Sequence, residues 1–223
     1  MKLLLFSDLH RDTVAATRMV ELSRRADVVI GAGDFANART GVSTCIEILK
    51  AIQIPSVVVP GNNESYDELV AACANWPSSR VLHGTGVEIE GVPFFGIGGG
   101  IPITPFGSWS YDFSEVEAER LLRDCPVEAV LVSHSPPKGA VDVTGSGQSL
   151  GSTAVRDAVL SLKPRVVVCG HIHASAGKRA QIGTSTVINA GPAGTLCRRP
   201  RLPAGDCAGT CVDRLYRRRG HDH

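Results

Sequence analysis

Apolar positions fall into five unbroken runs, at residues 2–6, 27–31, 56–60, 129–132 and 165–169, each rich in Leu, Ile or Val. A run without polar alternation is what a strand covered on both faces requires, so each predicts a buried β-strand. Between the runs the period changes. Val42, Cys45, Ile46 and Leu49 stand at helical spacing, as do Ala154, Val155, Ala158, Val159 and Leu162, and Ala118, Leu121 and Leu122 make a shorter stripe. Strands alternating with helices predict an α/β layered fold.

Residues 81–97 break that alternation. Two strand-like pieces, 87–90 and 92–95, meet at Gly91 with no room for a helix between them. They predict an antiparallel hairpin and, with it, a second sheet packed on the first. Residues 96–110, rich in Gly, Pro and aromatics, read as a substrate-facing flap. After Gly194 the pattern decays: residues 196–223 hold seven Arg against three Asp, a net +4 that leaves −3 for the rest. They read as an Arg-rich, partly ordered tail on one domain of residues 1–195, with a phosphate- or RNA-attracting arm as the alternative.

Composition narrows the class. A chain of 223 residues, 43% hydrophobic and 20% charged, buries one enzyme-sized core without disulfide staples. A net charge of +1 favours neither nucleic acid nor a membrane surface, and no apolar run approaches bilayer length. The seven Cys lie mostly in apolar settings, such as Cys45 and Cys169, and read as small hydrophobes of a reducing compartment. Cys197, Cys207 and Cys211 match no zinc spacing. The N-terminal run lacks the length and cleavage site of a signal peptide, so a cytoplasmic protein is expected.

The polar residues behind the apolar runs carry the chemistry. Asp8 and His10 follow the first run, Asp34 the second, Asn62 the third, His134 the fourth, and His171 and His173 the last. In an open α/β sheet, ligands bind beyond the carboxyl ends of the strands. Taken singly, each of these residues is a turn-forming Asp or Asn or a satisfied core His. Seven of them at five strand ends point instead to one site. Carboxylate, imidazole and amide donors without thiolate suit Mn²⁺, Fe²⁺ or Zn²⁺. Seven donors exceed one tetrahedral ion but suit two ions about 3.5–4 Å apart under a bridging carboxylate.

Three other features read as structural. Ser133 beside His134 has no acid to complete a triad. The glycine run at residues 96–100 lacks the Lys and the helix of a P-loop, and reads as a flexible loop near the site. Trp109, Tyr111 and Phe113 read as packing residues of the flap, with stacking on a base as the alternative.

Asp8-Leu9-His10, Gly33-Asp34, Gly61-Asn62, His134 and Gly170-His171-Ile172-His173 resemble the five ordered motifs of the calcineurin-like metallophosphoesterase superfamily. The resemblance runs from residue 3 to about residue 192. It implies a four-layer α/β/β/α sandwich with two packed mixed β-sheets. It also implies a dinuclear centre in which Asp8, His10 and His173 hold one ion, Asn62, His134 and His171 the other, and Asp34 bridges. Mn²⁺ is the first expectation, with iron or zinc as alternatives. Many members place a His after the ligand Asn to assist the leaving group. Here Asn63 and Glu64 follow, as in smaller bacterial branches lacking that His. Asp34 and Asn63 are therefore the catalytic candidates, and Asn63 and Glu64 the substrate-binding ones. An amide donates a hydrogen bond but delivers no proton near neutral pH, so aryl or nucleotide esters with good leaving groups are expected.

The implied function is hydrolysis of a phosphomonoester or phosphodiester, with a metal-bound hydroxide attacking in line. A protein-binding scaffold on the same fold is the rival reading, but scaffolds tend to lose ligands and none is missing here. The expected partner is a small phosphoester, a nucleotide among the candidates, with no membrane and no long nucleic acid. The net negative body disfavours a nuclease.

Overall fold

In the computed structural model, residues 1–198 are described. Lys2–Phe6 form β1, whose side chains alternate between two cores: Leu3 and Leu5 face one, Leu4 and Phe6 the other. That two-sided burial is why the run carries no polar residue after Lys2. Val28–Gly31 (β2), Ser56–Val58 (β3) and Ser79–Val81 (β4) continue the sheet in parallel, and Thr195–Arg198 (β11) closes it antiparallel to β1. The order is β11-β1-β2-β3-β4.

The helices on its outer face are α1 (Thr13–Ser23), α2 (Val42–Leu49) and α3 (Tyr66–Ala72). Asp12 caps α1 by accepting from the amides of Val14 and Ala15, and Ser65 and Glu68 form a capping box on α3. Cys45, Ile46 and Leu49 of α2 pack with Leu4, Phe6, Val29 and Val58, so the predicted stripe faces the sheet as expected.

The expected hairpin is present, as Thr85–Ile89 (β5) and Val92–Ile97 (β6) joined through Glu90 and Gly91, both at positive φ. It opens a second sheet with Val130–Ser133 (β7), Val166–Cys169 (β8), Arg179–Ile182 (β9) and Ser185–Asn189 (β10), in the order β5-β6-β7-β8-β10-β9. Glu115–Leu122 (α4) and Thr153–Leu162 (α5) cover its outer face, where Leu122, Val155 and Val159 meet Phe95, Leu131 and Val167. Between the sheets, Leu3, Leu5, Ile30 and Val57 meet Phe94, Val130, Val168 and Ile188. Helices, sheet, sheet and helices make the four-layer sandwich.

The domain boundary expected after residue 195 falls inside β11. Leu196 and Cys197 pack against the two cores that β1 separates, so residues 196–198 belong to the sheet. The reading of the rest of the tail, Cys207 and Cys211 included, lies outside the described residues. Cys45, Cys73, Cys125 and Cys169 are buried free thiols, as their apolar settings required. Among the described residues no helix is long and apolar enough to cross a membrane.

Candidate metal centre

Asp8 and His10 sit just past β1, Asp34 past β2, Asn62 past β3, His134 past β7, and His171 and His173 past β8. The backbone folds back sharply to bring these ends together. Asp8, His10, Asp34 and His171 all hold positive φ, between 45° and 65°, a region that non-glycine residues occupy at a cost. Two close approaches need glycine. A Cβ on Gly61 would strike the Asp34 carboxylate and amide, and one on Gly170 would strike Ser7 and the Asp8 carboxylate. The Gly-Asn and Gly-His pairs of the sequence are thus spacing requirements of the site.

The side chains form two groups that share Asp34. Donor atoms of Asp8, His10, Asp34 and His173 lie within 4.8 Å of one another, as do those of Asp34, His134 and His171. The two Asp34 oxygens face opposite ways: Oδ2 lies 3.5 Å from His10 Nε2, and Oδ1 lies 3.5 Å from His134 Nε2. In the first group His10 Nε2 and His173 Nε2 approach to 3.1 Å, and His173 Nε2 lies 3.6 Å from Asp8 Oδ1. In the second, Asn62 Oδ1 lies 3.3 Å from His134 Nε2 and 3.1 Å from His171 Nδ1.

The outer partners fix which atom each residue presents. His10 Nδ1 pairs with the Ala36 carbonyl at 3.1 Å and His134 Nδ1 with the Ala32 carbonyl at 2.7 Å, leaving both Nε2 atoms for the cluster. Asn62 Nδ2 donates to Ser110 Oγ at 3.0 Å, which turns its Oδ1 inward. Ser7 Oγ donates to Asp8 Oδ2 at 2.6 Å and itself accepts from the Gly191 amide. Asn189 Nδ2 donates to the carbonyls of Gly170 and Ile172, bracing the loop that carries His171 and His173. Sequence reasoning missed Ser7, Ser110 and Asn189. The signal for Ser7 was the one that exposed the ligands, a polar residue at the end of an apolar strand, whereas Asn189 ends β10, which has only Val187 and Ile188 as large apolar residues. Ser110, in the flap, gave none.

Electrostatics favour added positive charge. Burial works against the Asp34 carboxylate, but His134, His10 and His171 outweigh it and hold Asp34 well below the usual carboxylate range. Burial opposes charge on His134 too, yet Asp34 and Asp8 push it up to about 9. Burial and the neighbouring His134 pull His171 down to about 4, so it stays neutral and able to ligate. This mixed carboxylate, imidazole and amide set, with tautomers fixed from behind and a carboxylate shared between two groups, fits divalent cations.

The remaining expectations divide. Asn63 lies in the cleft, with its side-chain Nδ2 donating to Asp34 Oδ2 at 2.8 Å, its backbone amide donating to Asp34 Oδ1 at 2.9 Å, and its Oδ1 accepting from the Ala38 amide. Glu64 is different. It was expected to contact substrate, but it is 0% exposed and accepts from the backbone amides of Asp34, Ala36 and Gly61 at 2.7–2.9 Å. Burial and the Asp34 charge push it up to about 7 against the pull of those amides. Its work is to clamp the β2 and β3 loops together. Ser133 is no nucleophile: its Oγ is buried and donates to the Ser135 carbonyl. Nor is the glycine run a phosphate cradle. Gly98, Gly99 and Gly100 donate to His83 Nδ1, the Pro60 carbonyl and the Tyr111 carbonyl, so these amides are already used.

The model of the calcineurin-like phosphoesterase superfamily domain matches residues 1–203. This chain belongs to that superfamily. Solved structures agree on the fold. A protein from Thermus thermophilus superposes with a TM-score of 0.71 at 22% identity, covering 86% of this chain and 90% of its own. A dimetal phosphatase from Danio rerio gives 0.57 at 14% identity, covering 85% of this chain and 86% of its own. A phosphopantetheinyl hydrolase from Mycobacterium tuberculosis gives 0.53 at 17% identity, covering 85% and 88%. No curated protein matches the sequence. As a superfamily member, the chain has the fold of phosphoester hydrolases, with Asp and His clusters able to bind metal where those strands end.

Proposed function

We propose that this protein hydrolyses small phosphoesters with a pair of divalent cations, Mn²⁺ foremost. The observation that carries the reading is the split of Asp34, one oxygen facing each histidine group. Asp8, His10 and His173 would hold one ion, Asn62, His134 and His171 the other, and Asp34 both. Two such ions, when bound, activate water for in-line attack and neutralise charge on the phosphoryl oxygens. The chain's own part is positional. Glu64, Ser7, Ser110 and Asn189 hold the donors in place, and Asn63, hydrogen-bonded to Asp34, lines the cleft where a phosphoryl group would enter. All seven expected ligand side chains are present and gathered, which favours an enzyme over a scaffold. The setting we assign is the cytoplasm, without a membrane or long nucleic acid as partner.

Hydrolysis of a bis-aryl phosphodiester and an aryl phosphomonoester, with Mn²⁺ and after chelation, tests the reading. Activity should require the metal, and Asp34→Ala should lower bound metal from two ions to fewer than one per chain by elemental analysis. Equal rates with and without chelator would overturn the mechanism.

A further inference from the structure

The cleft before the ligand cluster encloses about 760 Å³, and its composition is uneven. Among the described residues that line it, Lys138 is the one ammonium or guanidinium group and Asp34 the one carboxylate, whereas Ile103, Phe106, Trp109 and Leu150 contribute large apolar surface. Ile103 is 66% exposed, Phe106 52% and Leu150 48%. Apolar groups gathered this way at the edge of a site mark a ligand surface.

The flap is anchored through other groups. Tyr111 and Phe113 anchor it by packing on His83, with ring centroids 5.7 and 4.8 Å from the imidazole. Asp112 accepts from Thr104 and Ser110, and the Trp109 carbonyl accepts from Arg39, itself paired with Glu68. Phe106 and Trp109 stand outside that framework. Their rings lie nearly parallel, 12° apart with centroids 5.8 Å from each other, and both line the cleft. A flat partner extends such a stack face to face, whereas an alkyl chain gains nothing from its orientation.

Building on the proposed function, we infer that the substrate is a phosphoester carrying a planar ring, which lies against Phe106 and Trp109 while its phosphoryl group meets the ligand cluster. Lys138, lining the same cleft, adds a positive side chain for an anionic ester. Aryl groups and nucleobases share the required flat face.

Calorimetric titration of the Mn²⁺-loaded protein with methylphosphonate, octylphosphonate, phenylphosphonate and adenosine 5′-monophosphate separates the cases. The ring-bearing probes should bind about 10-fold or more tighter than methylphosphonate, the scale of one stacked ring. Phe106→Ala and Trp109→Ala should erase that advantage, while Trp109→Phe retains it. Metal content and methylphosphonate affinity should not change in any of the three. Preference between phenylphosphonate and the nucleotide identifies which ring the site takes. Tightest binding of octylphosphonate, or a ring advantage that survives both alanine variants, overturns the inference and leaves the proposed function standing. Methylphosphonate that fails to bind, with no phosphoester hydrolysed, overturns both.

Discussion

Asn63 and Glu64 are neighbours in sequence with opposite duties. Asn63 faces the cleft with an amide where many relatives are expected to carry an imidazole. An amide stabilises a phosphoryl oxygen but leaves the departing oxygen unprotonated, which penalises alkoxides far more than aryl oxides. Asn63→His should therefore raise kcat on alkyl esters by about 10²-fold, the low end for a general acid, and leave aryl esters nearly unchanged. The measurement is the slope of log kcat against leaving-group pKa, which should flatten; an unchanged slope removes the role. Glu64 contributes through three backbone amides instead. In Glu64→Gln an NH₂ group replaces one acceptor and faces a buried donor. A loss of about 1–3 kcal/mol of stability follows, read as a lower denaturant midpoint with unchanged slope. A midpoint that does not move would show that the clamp is dispensable.

At the scale of elements, legibility followed burial. β1, β2, β3, β7 and β8 announced themselves because strands covered on both faces admit only apolar residues, and α2 and α5 because one face of each is buried. β4 and β11 did not, because Ser79 and Arg80 in one and Thr195 and Arg198 in the other leave few apolar residues, and pairing with β3 and β1 holds them. β10 holds only Val187 and Ile188 as large apolar residues and depends on β8 beside it. The ligands were legible because they sit immediately after readable strands. Ser110 was not, because its meaning is a contact 48 residues away in sequence, with Asn62. That contact predicts a measurable effect. Ser110→Ala should free the Asn62 amide to rotate and weaken one metal site by about 10–100-fold, the usual cost of losing an outer partner. Metal titration should show one weakened and one unaltered binding step. Two unaltered steps would mean that Asn62 is oriented by the cluster alone.

Across the whole molecule, the ligand groups tie two separate sheets together. Asp8, His10, Asn62 and Asp34 come from the ends of β1, β3 and β2 in one sheet, and His134, His171 and His173 from β7 and β8 in the other. Apolar packing between the sheets is non-directional and holds them at a distance without setting their register at the strand ends. A cation bound between them adds that constraint, and it binds only the folded chain, because the donors are scattered over more than 160 residues of sequence. Binding to the folded state alone stabilises it by RT ln(1 + [L]/Kd), about 2.7 kcal/mol for each site at 100 times its Kd. For a chain of this size each kcal/mol moves the midpoint by about 2–4 °C, so saturating one site should raise Tm by roughly 5–10 °C and two sites by more. Asp34→Ala should abolish the whole rise, since it removes a donor from both groups. His173→Ala should abolish only part, because its group keeps Asp8, His10 and Asp34 and the other group is untouched. A metal-dependent rise in Tm that Asp34→Ala leaves intact would place the stabilising ion elsewhere on the molecule.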